Sequence, residues 1–318
     1  MPQVDLVGST GDPIIDDIVR KIVGVFETAF PGRIASYYVV GSYAYRDAVA
    51  LSDIDLRVIF EGEFLGDHEV EKFLQVRQEC RLDSPVQIDL PPLSEARLYS
   101  DENWLHEALG IKTSGVLLYG RDLRDRLPMP DLDSYLRNYT EAPVMFMGSL
   151  RRQTTGLAYP LGYPNPHGPF YGYDESERQT STQMMVLMAG YAATCLIAMH
   201  TGEMVNKKSD WIASYKTHVG DAWTLLLENI YGKCRLEWGY RIPESEPDRR
   251  MLRELCRKTL AFENYYLLRY REYLLTELRS GDADRGSLTI ARFKDVSYPD
   301  NEVATVLEST NPESDVVK

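Results

Sequence analysis

A chain of 318 residues, 44% hydrophobic and 26% charged, is long enough for two domains and a sizeable core. Its formal charge of -13 argues against a nucleic-acid polyanion as partner and favours a cationic molecule or a metal-bound substrate. The acidity lies early: residues 1–150 hold 14 Lys and Arg against 25 Asp and Glu, whereas residues 151–318 hold 21 against 23.

The opening stretch, MPQVDLVGSTGDP, has no basic region leading into an apolar one, so no signal peptide is expected. Asp12 followed by Pro13 suits a helix start. Ile14, Ile15, Ile18, Val19, Ile22, Val23 and Phe26 then recur at helical spacing and predict an amphipathic helix over 13–29, ended at Pro31 and Gly32. IASYYVV and DIDLRVIF read as strands, with SYAYRDA able to start a short helix between them. DHEVEKFLQVRQEC fits a helix. SPVQIDL reads as a third, short strand stopped by Pro91 and Pro92, and SGVLLYG as a fourth.

The second half reads as helices over 131–152, 178–202, 206–231 and 247–279, with Gly202, Gly220 and Gly232 near their ends. Between the first two lies TTGLAYPLGYPNPHGPFYGYDESE, too rich in Pro, Gly and Tyr for a regular element; it is expected to be a long loop, either a lid or binding edge or a plain insertion. MMVLMAGYAATCLIAM is too short and mixed for a bilayer and reads as a buried helix. Cys80, Cys195, Cys234 and Cys256 are far apart and fit free core thiols in a reducing cytoplasm. The tail beyond Gly281 turns polar, and its last ten residues are expected to be disordered.

The chemistry is concentrated in VVGSYAYRDAVALSDIDLRVIF. Side chains alternate along a strand, so Asp53, Asp55 and Arg57 share one face while Ile54, Leu56 and Val58 face a core. Two carboxylates so close repel unless a cation lies between them, and Mg2+ prefers such oxygen ligands. Asp89, in VQIDL, completes a three-carboxylate set if its strand lies beside the first. Such a set can bind two metals, or Asp89 can take a proton from an attacking hydroxyl. Gly41 lets backbone approach a phosphate, and Ser42 adds a hydroxyl. Arg57 either touches a phosphate or pairs with an acid.

This stretch resembles the signature of DNA polymerase β superfamily nucleotidyltransferases. The resemblance implies a mixed sheet with helices on one side, two Mg2+ ions, and nucleoside monophosphate transfer from an NTP with release of pyrophosphate. Gly41 and Ser42, with Ser52 ahead of the Asp-Ile-Asp, match the nucleotide-binding part, Asp53 and Asp55 the metal ligands, and Asp89 the third carboxylate. GVLLYGRDLRDRLPMPDL and MHTGEMVNKKSDWIASY are similar to aminoglycoside adenylyltransferases of the streptomycin/spectinomycin type. That narrower resemblance implies an α+β chain: a small mixed-sheet nucleotidyltransferase domain over 1–130, a helical substrate-binding bundle over 131–280 and an extension over 281–318. ATP and the drug bind between the two domains in that group. Lys207, beside Lys208, matches a lysine that reaches the nucleotide, and Asp125 falls near an acid of the nucleotide site. The third carboxylate of that group is often Glu; Asp89 is one methylene shorter.

His106, His167, His200 and His218 share no ligand spacing. Tyr171, Tyr173 and Trp211 either line a pocket or pack, and Arg46 reads as a solvated helix position. The function expected is adenylylation of a small cationic molecule such as an aminoglycoside, with antibiotic resistance as its role. The alternatives are transfer onto a protein or RNA, and a non-catalytic nucleotide-binding module.

Overall fold

Asp12 caps the first helix as its sequence suggests. Its side chain accepts the amides of Ile14 and Ile15 at the start of α1 (Pro13–Ala29). The structure, a computed structural model, describes residues 4–100, 104–153, 156–175, 180–205, 207–280 and 283–299, with Glu302, Val303 and Thr305. It divides into two units, Met1–Asn138 and Tyr139–Lys318. The last ten residues lie outside the described residues.

After α1 the first unit runs β1 (Ile34–Val40), α2 (Gly41–Tyr45), β2 (Ile54–Phe60), α3 (Asp67–Asp83), β3 (Ile88–Asp89), β4 (Pro92–Ser94), α4 (Glu95–Ser100), α5 (Leu105–Ser114) and β5 (Val116–Gly120). A 3-10 turn at Arg124–Arg126 and α6 (Leu132–Tyr139) follow. The sheet is mixed, in the order β3-β2-β1-β5. β1 is antiparallel to β2 and β5, and β2 is parallel to β3 and β4.

The predicted third strand is much shorter than its sequence suggests. Only Ile88 and Asp89 pair, opposite Ile54 and Asp55. The prolines do not end the pairing either: it resumes at Pro92, opposite Val58. Pro lacks an N–H but is tolerated on an edge strand, where that group faces no neighbour.

Alternation along β1 and β2 builds two cores. Tyr37, Val39, Ile54, Leu56, Val58 and Phe60 pack with residues of α1 and α3, among them Val19, Phe26, Phe73 and Cys80. The opposite face, with Tyr38, Val40 and Ile59, packs against Leu98 of α4 and Ala108 and Ile111 of α5. Helices therefore cover both faces, where the resemblance implied one. The cause is α4 and α5, two helices the sequence reading lacked. Burying apolar area on both faces stabilises the sheet by about 25 cal/mol per Å2 removed from water.

The second unit holds α7 (Ala142–Leu150), β6 (Leu157–Ala158), α8 (Gln183–Thr201), α9 (Lys208–His218), α10 (Thr224–Asn229), a π-helical stretch Ile230–Glu237, α11 (Glu246–Arg279), α12 (Ala283–Phe293) and β7 (Val296–Ser297). The helix predicted over 131–152 breaks between α6 and α7, with Pro143 in the first turn of α7. Gly202 closes α8 at φ 76°, as a left-handed cap should. Gly232 does not end a helix; it lies within the π-helical stretch. By length and composition α8 would be able to cross a membrane, but 67% of its most apolar window is buried inside the protein. The four cysteines are free and buried.

The long loop is fastened rather than loose. Leu157 and Ala158 pair in parallel with Val296 and Ser297 of the tail. Arg151 donates to the carbonyl of Gly162, and Asn264 of α11 holds both the amide and the carbonyl of Leu161. Tyr173 donates to Glu263 at 2.7 Å, and Arg151 meets the same carboxylate at 2.6 Å. Glu263 is fully buried. Burial pushes its carboxyl up, and Arg151 and Tyr173 offset only part of that.

Candidate active site

β1 ends at Val40, opposite Asp55 of β2. The chain then turns at Gly41, whose φ is +64°. A Cβ at Gly41 would overlap the Asp55 carboxylate, so both the backbone angle and the space call for glycine. Ser42 follows, buried at 3% exposure. α2 ends at Arg46, an exposed residue in the left-handed region at φ 57°. The Ser42 carbonyl takes the Asp47 amide at 3.0 Å, which turns the chain back toward β2.

Ser52 closes the same loop. Its hydroxyl accepts the Val49 amide at 2.8 Å and its own amide donates to the Val49 carbonyl. Its buried side chain thus shapes the approach to β2. Asp53 and Asp55 are half-buried, whereas Ile54 and Leu56 between and beside them are fully buried. The predicted alternation holds, with both carboxylates on the face opposite the main core. Burial, then Asp12 and Asp53, pushes the Tyr43 phenol above its usual range.

Asp89 stands directly across from Asp55 in the parallel ladder. Its Oδ2 accepts from Arg57 Nη1 at 3.0 Å. The Nε of Arg57 donates to Glu107 of α5 at 2.6 Å. Burial alone would lower the Arg57 pKa, but Glu107, Asp89 and Asp55 outweigh it and hold the guanidinium charged. Burial likewise works against the Glu107 charge, and Arg57 and His106 overcome it, pulling the carboxyl down to about 2.

Asp53, Asp55 and Asp89 are hard oxygen donors, the chemistry Mg2+ takes. Among the described residues, however, no group of three or more His, Cys, Asp or Glu is assembled to hold a metal ion. Asp89 gives one oxygen to Arg57 instead. Of the two readings of Arg57, the structure has the ion pair.

The remaining expected residues have surroundings of their own. Asp125 is exposed in the 3-10 turn; nearby Asp122 takes the Tyr38 hydroxyl at 2.9 Å. In the second unit Lys207 is the residue before α9. It lines a cavity with Trp211, Tyr139, Tyr191, Val186 and Val205. Tyr173 serves the Glu263 cluster, and Tyr171 stacks on Tyr163 at 4.5 Å.

Glu107, Arg77 and Arg81 were missed by the sequence reading. Arg81 donates to the Ile88 carbonyl and Arg77 to the Leu90 carbonyl, on either side of Asp89. The helical spacing of Leu105, Ala108, Leu109 and Ile111 was the available signal for α5; nothing in it marks Glu107 as a partner of Arg57.

Residues 19–109, which hold this whole cluster, match the nucleotidyltransferase domain family. No curated protein matches the chain. Among solved structures it is similar to spectinomycin adenyltransferase AAD(9) from Enterococcus faecialis with ATP and spectinomycin, at 10% identity and a TM-score of 0.44, over 77% of this chain and 98% of that one. A likeness of that degree carries no argument about substrate. The family match makes this chain a transferase enzyme that carries a nucleotidyltransferase domain over residues 19–109.

Proposed function

We propose that this enzyme moves AMP from ATP onto a hydroxyl of a small cationic acceptor, an aminoglycoside, with release of pyrophosphate. The observation that carries the reading is the close approach of Gly41 to Asp55, which joins the end of β1 to the acidic start of β2. Glycine there keeps the backbone open to a triphosphate. The Ser42 hydroxyl and the neighbouring amides take the phosphates, and Ser52 holds the loop that presents them. Asp53, Asp55 and Asp89 would hold Mg2+, which supplies charge neutralisation for the triphosphate when bound. Asp89 keeps Oδ1 without a hydrogen bond among the described residues, so it retains an oxygen for a metal or for the acceptor hydroxyl. Lys207 is assigned to the nucleotide. The excess of acids in residues 1–150 favours a polyamine acceptor over a nucleic acid. Its place is the cytoplasm, where ATP is at hand and the four thiols stay reduced.

The test is incubation with α-labelled NTPs, Mg2+ and a panel of aminoglycosides. Labelled drug and free pyrophosphate are expected with ATP. Label on protein or RNA instead would reassign the acceptor. ATP binding with no transfer, unchanged in Asp53→Ala, would overturn the catalytic reading.

A further inference from the structure

Asp89 lies on a strand with a two-residue ladder, too short to hold a side chain firmly by backbone pairing alone. Three arginines do what the ladder does not. Arg81 Nε donates to the Ile88 carbonyl at 3.1 Å and Arg77 Nη1 to the Leu90 carbonyl at 3.4 Å, so α3 holds the backbone on both sides of Asp89. Arg57, from the neighbouring strand, holds the carboxylate itself at 3.0 Å. Arg57 in turn is fixed from behind by Glu107 at 2.6 Å. The Arg57 and Glu107 side chains are 8% and 10% exposed, while that of Asp89 is 49% exposed. The chain of contacts therefore runs from a rigid buried pair out to an open carboxylate.

We infer that Arg57, held by Glu107, is the positioning residue for Asp89: it occupies Oδ2 and leaves Oδ1 as the oxygen that works. A two-armed guanidinium suits this task, since its planar fork can serve two carboxylates at once with little loss of freedom. Lysine offers charge at a single point and would hold the two acids less well. The inference rests on the proposed nucleotidyl transfer for its kinetic consequences, but its structural consequence stands apart from any substrate. Groups that orient a working side chain through such a contact change activity by about 10- to 100-fold when removed.

The experiment compares wild type with Arg57→Gln, Arg57→Lys and Glu107→Gln. Turnover, KM for ATP, melting temperature and the crystal structure of each folded variant are measured. Arg57→Gln is expected to lower kcat about 10- to 100-fold with KM for ATP within about threefold. Arg57→Lys should recover much of the loss, and Glu107→Gln should lose less than Arg57→Gln. In the Arg57→Gln crystal structure the Asp89 carboxylate should leave its wild-type rotamer. A kcat within about threefold of wild type overturns the inference, as does Lys performing no better than Gln. Should the wild type transfer no nucleotide to any acceptor, the proposed function fails. The structures then decide the inference, and an unmoved Asp89 in Arg57→Gln overturns it. If Arg57→Gln does not fold, Glu107→Gln and Arg57→Lys carry the same comparison.

Discussion

Gly41 and Asp55 stand so close that no side chain fits at position 41 without displacing the carboxylate. The contact ties the turn after β1 to the acidic strand β2. It also makes a sharp prediction. Gly41→Ala should cost about 1–3 kcal/mol from the positive φ alone. It should also push Asp55 aside, so transfer should fall further than the stability loss explains. Denaturant melts and turnover of the same preparation check this.

Asp53→Asn and Asp55→Asn should each lower turnover by about 100-fold or more, as removing a charge-stabilising group does. Both residues are half-buried and neither packs in the main core, so folding should survive. EDTA should abolish transfer in the wild type and Mg2+ restore it. Circular dichroism beside the radiolabel assay separates lost chemistry from lost structure.

The Glu107 carboxyl is held down to about 2 from its usual 4.5, Arg57 and His106 outweighing the cost of burial. A depressed carboxyl stabilises the fold above its unfolded value and loses that contribution as pH falls toward its folded value. Wild type should therefore exceed Glu107→Gln in stability near pH 7. The gap should narrow as pH drops from about 4.5 toward 2. Urea midpoints of the two proteins across that window test the sign.

Arg151 and Glu263 form a buried pair that fastens the 156–175 loop to α11. Arg151→Met leaves the Glu263 charge unpaired in the interior and should destabilise the fold by about 3–5 kcal/mol. Before global unfolding, the loop should open and become a protease target. Limited proteolysis with mass mapping should place the first cuts between 156 and 175. Cuts elsewhere would count against the loop being pinned here.

Lys207→Met should raise KM for ATP about tenfold, the size of one lost charged hydrogen bond, and leave kcat little changed. Steady-state kinetics at saturating acceptor measures this directly. An unchanged KM removes Lys207 from the nucleotide site.

Several features were legible because their physics is local. Alternation along a strand separated Asp53 and Asp55 from Ile54 and Leu56 without reference to anything distant. The first helix was readable from Asp12, Pro13 and the apolar spacing that follows, and Gly202 marked a helix end by its tolerance of positive φ. Gly41 before Ser42 signalled backbone approach for the same reason. Short elements were not legible: α4 and α5 run for only 6 and 10 residues, which leaves an apolar spacing little room to repeat, and β3 shrank to two residues because pairing depends on a partner strand.

The sequence by itself determined the acidic strand, the glycine turn before it and the mixture of strands and helices in the first half, since each follows from residue type and spacing over a few positions. Only the tertiary structure decided which groups meet. Arg57 pairs with Glu107 fifty residues on and with Asp89 thirty-two residues on. Glu263 receives Arg151 across 112 residues. Such pairings arise when helices close over a sheet and bury charges that must then find partners. No local pattern encodes that choice, because burial is a property of the assembled fold.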